Sequence, residues 1–92
     1  MKNIITKEKI EKYFQLTSKA LAIAKKSVAK GKKKQAEEIF LMTECYLKDS
    51  QYFTGKKDFV NALGCLNYAH GWLDCGARLK VFIVKDTKLF TI

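Results

Sequence analysis

Three stretches of helical apolar period, with no proline anywhere to interrupt them, constrain this chain more than any other feature. Ile10, Phe14, Thr17, Leu21, Ala24 and Val28 recur at i, i+4, i+7, i+11, i+14 and i+18. That spacing lays one apolar stripe along a helix, with Thr17 as its single polar member. Thr6 stands where an N-cap is wanted, Glu8 suits the positive first turn, and Lys30 and Gly31 suit the last turn and the residue beyond it. A first helix over about 6–29 is predicted. Ala36, Ile39, Phe40, Thr43, Tyr46, Leu47 and Ser50 predict a second over about 33–53, which Gly55 stops. Asp58 caps a third over about 58–80, with Phe59, Ala62, Leu63, Leu66, Ala69, Leu73 and Ala77 as its core face.

Ninety-two residues make a single domain, 1–92. Short loops between three long helices turn neighbours antiparallel, so the expected fold is an all-α, three-helix up-down-up bundle. The tail, 81–92, differs in kind. Val81-Phe82-Ile83-Val84 and Leu89-Phe90-Thr91-Ile92 are β-branched and aromatic, with Lys85-Asp86-Thr87-Lys88 between them. They suit either a small hairpin or an extended strap on the bundle, and the strap is preferred because an isolated hairpin is marginal in water. A faint tetratricopeptide-like spacing around Tyr52, Gly55, Ala62 and Ala69 has no second copy at a period of about 34 residues, so a repeat array is not expected.

The segment Asn67 to Arg78 concentrates the unusual residues: the only His, Trp and Arg and two of the five glycines. Asn67, Gly71, Asp74 and Arg78 share a face, with Gly64 on it too, and His70 beside them extends a polar ladder. Glycine on a solvated helix face costs about 1 kcal/mol against alanine, so a partner chain or the chain's own tail is expected against Gly71. Ala62, Ala69 and Gly76 form a smooth strip where another helix is expected to pack closely. A second apolar stripe, Cys65, Tyr68, Trp72, Cys75 and Leu79, is wider than one packed face needs. Either the third helix is wedged between the other two, or Tyr68, Trp72 and Leu79 meet another chain.

Charge is uneven. The formal net charge is +9, and all of it lies in residues 1–34, where eleven lysines face Glu8 and Glu11. Lys25, Lys26, Lys30, Lys32, Lys33 and Lys34 are the densest group and are the candidate anion-binding residues. Without arginine or interleaved aromatics the group is weak as a nucleic-acid signature, and a solvated basic face is the default reading. No run approaches the ~20 apolar residues of a bilayer span, and the N-terminus has no apolar leader core. Three cysteines at no zinc-like spacing read as reduced thiols, so a cytoplasmic setting is expected.

Catalysis finds no constellation here. His70 and Asp74 at i, i+4 are two groups without a third, Cys75 lies across the helix from both, and Gly31-Lys32-Lys33-Lys34 lacks the spacing of a phosphate loop. His70 is better read as a hydrogen-bonded residue at the core edge. Asp74 and Arg78 are spaced for an i, i+4 ion pair. No metal, cofactor or catalytic residue is expected.

The run Asn67-Tyr68-Ala69-His70-Gly71-Trp72-Leu73-Asp74-Cys75-Gly76-Ala77-Arg78-Leu79, with Tyr52-Phe53-x-Gly55 before it and Leu89-Phe90-Thr91 after it, resembles an archaeal family of short proteins, domain-of-unknown-function family 357. The resemblance covers most of residues 6–92 and is strongest in the third helix. It implies a three-helix bundle, a cytosolic source, no assigned activity, and an accessory role beside nucleotidyltransferase-like domains. It implies nothing about the lysine group, which is not part of that pattern.

The expectation is therefore a non-enzymatic helical interaction module that docks on a protein partner, or on a second copy, through its third helix. The alternative is an accessory domain for nucleic acid or nucleotides that uses the lysine-rich end of the first helix.

Overall fold

The computed structural model describes residues 4–92; Lys2 and the start of the segment read for a leader, Met1 to Asn3, lie outside them. Three helices follow one another: α1 Lys7–Lys25, α2 Lys33–Gly55 and α3 Phe59–Arg78. Leu21 lies beside Leu47 near one end of the α1–α2 seam, and Ile10 beside Thr54 near the other, so these two helices run antiparallel. Tyr46 stacks on Tyr68 while Ile39 approaches Gly76, which makes α2 and α3 antiparallel as well. The result is the expected all-α three-helix bundle, with α3 packed most extensively on α2.

The apolar stripes become the core. Ile10, Leu21, Ala24, Ala36, Ile39, Phe40, Leu47, Ala62, Leu66, Ala69, Leu73 and Ala77 are buried. Phe14, Tyr46, Phe59 and Leu63 pack on its edge. Thr43 and Ser50, buried in the same stripe, send their hydroxyls to the carbonyls of Ile39 and Leu47 at 2.8 and 2.7 Å, so neither is left unpaired.

The helix ends depart from expectation. Thr6 caps α1 as anticipated, accepting from the Lys9 N–H at 3.2 Å, and Asp58 caps α3 by accepting from Asn61 at 3.1 Å. But α1 stops at Lys25, and Val28 leaves the apolar stripe. Ala29 N–H donates to Val81 at 2.9 Å and Ile83 N–H to Ser27 at 2.8 Å, so Val28 pairs with Phe82 as one antiparallel bridge. The tail claims that backbone, and a β-branched residue suits the pairing. Gly31 is not the cap of α1. It is the third residue of the turn closed by Lys32 N–H to Ala29 at 3.1 Å, where its φ of +80° is required. Lys25, rather than Lys30, occupies the last helical turn.

Gly55 does not stop α2 either; it is the last helical residue. Lys57 takes the left-handed conformation, φ 59°, with Asp58 N–H bonded to Phe53 at 2.8 Å and Lys57 N–H to Thr54 at 3.0 Å. This is a Schellman closure whose left-handed residue is a lysine. Lys80, φ 57°, repeats it after α3, with Val81 N–H bonded to Gly76 at 2.9 Å and Lys80 N–H to Ala77 at 3.1 Å.

The tail is a strap and not a hairpin. Val81, Phe82, Leu89 and Phe90 are buried, and the Phe82 ring stacks on Phe40 with centroids 5.8 Å apart. Asp86 turns the strap back, its carboxylate accepting from Lys88 N–H at 2.8 Å and Leu89 N–H at 3.2 Å.

Candidate functional site: a cleft between α1, α3 and the tail

Four members of the polar ladder, Asn67, His70, Gly71 and Asp74, line one cleft of about 340 Å³. Tyr13, Leu16 and Thr17 of α1 form the opposite wall, Leu66 lies at the base, and Lys88 and Leu89 of the tail complete the lining. The helical period of α3 puts the four on one side, and packing of α1 and the strap beside that side makes the hollow.

His70 is half-buried and bonded through both ring nitrogens. Its Nε2 lies 2.6 Å from the Leu89 main-chain oxygen, which can only accept, so Nε2 carries the hydrogen. In the neutral ring Nδ1 is then the acceptor for the buried Thr17 hydroxyl, 3.0 Å away. One side chain thus ties α1, α3 and the tail together, which gives the edge-of-core role expected for His70 a definite form. Thr17, the lone polar residue in the first stripe, was the legible signal for it.

Asp74 does not pair with Arg78. Its Oδ1 accepts from Thr91 N–H at 2.8 Å and its Oδ2 lies 3.3 Å from the Thr91 hydroxyl, which donates to it. Oδ1 also lies 3.8 Å from His70 Nε2. A fixed backbone donor held by the strap outcompetes a long, exposed side chain one turn away. Arg78 lines a separate hollow of about 200 Å³ with Phe82, Val84 and Ile92, so the ladder is divided. Gly71 is not covered by the strap: a Cβ built there would meet nothing within 4 Å, and the same holds at Gly64. Gly76 is the opposite case. A Cβ would collide with the Phe82 ring and lie 2.9 Å from Ile39 Cδ1, so the expected close approach occurs, by the tail as well as by α2.

Tyr68, Trp72 and Leu79 are open to solvent, at 65%, 37% and 67% exposure, so α3 is not wedged between its neighbours. A shallow hollow of about 320 Å³ runs among Asn67, Tyr68, Gly71, Trp72 and Cys75. It shares Asn67 and Gly71 with the cleft, and the two form one trough that crosses α3 at Gly71.

All six lysines of the basic group are exposed, around the end of α1 and the start of α2. Lys25 bridges to Glu44 at 3.3 Å. The α2 N-terminus has Lys32 at its cap with no side-chain acceptor, and no acidic residue in its first turn. Among the described residues, no three of His, Cys, Asp and Glu converge as metal ligands would. Burial pushes the Cys65 thiol above its ordinary value, and Asp49 adds to that. Sequence reasoning did not anticipate Tyr13, Leu16, Lys88 or Leu89 at the site, since each comes from an element distant in the chain.

Fold and site together define a small strapped three-helix domain with an open trough across its last helix. The chain belongs to the family described as "Protein of unknown function (DUF357)", which matches residues 12–82. That span contains all of α2 and α3 and ends at Phe82, so Leu89, Phe90 and Thr91 lie beyond it. No curated protein and no solved structure matches the chain.

Proposed function

We propose that this chain is a small non-enzymatic helical interaction module that docks on a protein partner through the outer side of α3. The observation that carries this reading is the trough across Gly71, bordered by exposed Tyr13 and Leu16 on one side and Tyr68 and Trp72 on the other. Aromatic and aliphatic side chains standing in solvent around a hollow are the anchors of protein recognition. Gly71, shared by both hollows, leaves the helix backbone uncovered at the centre of that surface. The two groups best placed for chemistry, His70 and Asp74, are both committed to holding the tail. Among the described residues, no helix is long and apolar enough to cross a membrane.

The test compares the wild-type chain with Tyr68→Glu and Leu79→Glu, whose side chains are exposed enough for the fold to tolerate the change. Quantitative co-purification from the native cell and sedimentation velocity should both register loss of a partner. Unchanged partners and unchanged mass in both variants would overturn the reading; self-association lost in the variants would identify the partner as a second copy.

A second reading places nucleic acid at the basic group, favoured by the uncapped α2 N-terminus among Lys30, Lys32, Lys33 and Lys34. Binding of a single-stranded RNA probe should then fall steeply between about 50 and 200 mM salt, and Lys32→Gln, Lys33→Gln and Lys34→Gln together should abolish it.

A further inference from the structure

We infer that the partner segment taken by the cleft is an acidic amphipathic helix. The inference rests on the docking reading above and specifies the chemistry of the occupant. The wall contributed by α1 presents Tyr13 and Leu16, each more than a third exposed, and they are bordered by lysines. Lys9 sits over the Tyr13 ring, its Nζ 5.9 Å from the centroid. Lys12 and Lys19 lie four residues before and three after Leu16, and so flank it on the same side of α1. On the facing rim, Lys88 lines the cleft. None of the four is in an ion pair among the described residues.

Of the acids nearest the cleft, the two on α3 and the tail are already engaged, and Glu8, one turn before Lys12, is the single acid left beside four lysines. Asp74 is occupied by Thr91, and Asp86 by the N–H groups of Lys88 and Leu89. The cleft is therefore apolar at its floor, where Leu66 and Leu89 lie, and net positive around its edge, where Lys9, Lys12, Lys19 and Lys88 outnumber Glu8. A complementary segment carries apolar side chains at i, i+3 or i+4 and i+7 to enter the hollow, with carboxylates beside them to meet the lysines. The hollow admits side chains and not a whole helix, so the helix lies across its mouth and continues over the bare backbone at Gly71. Salt weakens the lysine contributions, and like charge excludes basic helices.

The experiment is a selection of displayed random peptides about 16 residues long, some four helical turns, against the full chain. Enriched peptides should carry the apolar spacing with flanking Asp or Glu. Their binding should weaken roughly tenfold or more on Leu16→Glu and on Lys12→Glu combined with Lys88→Glu, and stay unchanged on Leu41→Glu, an exposed site on α2 outside the trough. If Leu16→Glu fails to fold by its melting curve, Lys88→Glu alone carries the test. Enrichment of neutral or basic peptides, or acidic peptides indifferent to these changes, overturns the inference. Peptides blocked only by Tyr68→Glu overturn it while leaving the docking reading intact. No enrichment, together with unchanged native partners in Tyr68→Glu, removes both.

Discussion

The imidazole of His70 donates from Nε2 to the main-chain oxygen of Leu89 at 2.6 Å, and this bond, with the Asp74–Thr91 pair, ties the end of the strap to α3. Removing the ring leaves that oxygen and the buried Thr17 hydroxyl without partners. His70→Ala should therefore cost about 1–3 kcal/mol in a urea melt. Amide exchange at Phe90 and Thr91 should accelerate first, because the strap loses its tie before the helices do. His70→Gln, whose amide can donate to Leu89, should recover part of the loss. Equal stability of wild type and His70→Ala would show that the His70 bond adds nothing to the packing, the Asp74–Thr91 pair and the Val28–Phe82 bridge that also hold the strap.

The two kinds of glycine on α3 should respond with opposite signs. Gly76→Ala drives a methyl into Phe82 and should destabilise by about 1–3 kcal/mol. Combining it with Phe82→Leu should give less than the sum, since the two changes share one contact. Gly64→Ala and Gly71→Ala point into open space and should each gain up to about 1 kcal/mol. Thermal melting of the set reads all four signs, and a destabilising Gly71→Ala would place something against that face.

Lys57 and Lys80 hold the left-handed conformation that glycine adopts without cost. Lys57→Gly and Lys80→Gly should each stabilise by about 0.5–1 kcal/mol, the relief of the left-handed backbone less the added freedom of the unfolded chain. Loss of stability in either variant would mean that the lysine side chain contributes more than its backbone costs.

Cys65 should be the slowest thiol. Burial first, and Asp49 second, hold its proton, so iodoacetamide at neutral pH should alkylate exposed Cys45 and Cys75 ahead of it. The sign for stability follows from linkage. A thiol raised in the folded state binds its proton more tightly there, so its contribution is complete below the ordinary thiol value of about 8.5 and is lost as pH rises through the raised one. Cys65→Ser should remove that alkaline decline. Cys65 alkylated as fast as Cys75 would contradict the burial assigned to it.

Local periodicity determined the three helices and their buried faces. Leu66, Leu73 and Ala69 on α3, like Ile39, Phe40 and Leu47 on α2, are core because a 3.6-residue repeat aims them one way whatever surrounds the chain. The ladder Asn67, Gly71 and Asp74 was legible for the same reason, and Thr6 and Asp58 because a cap is a contact within four residues. The tertiary structure decided whatever depends on a partner far along the chain. Val28 left its helix because Phe82 takes its place in a bridge, and Asp74 turned from Arg78 to Thr91 because the strap brings a fixed N–H to it. Helical period set Gly76 on the smooth strip and Gly71 on the polar ladder, with cover expected at both; only the fold brings the Phe82 ring over the one and leaves the other bare. The cleft itself belongs to no segment, since Tyr13, His70 and Leu89 meet only when packing closes three elements around it.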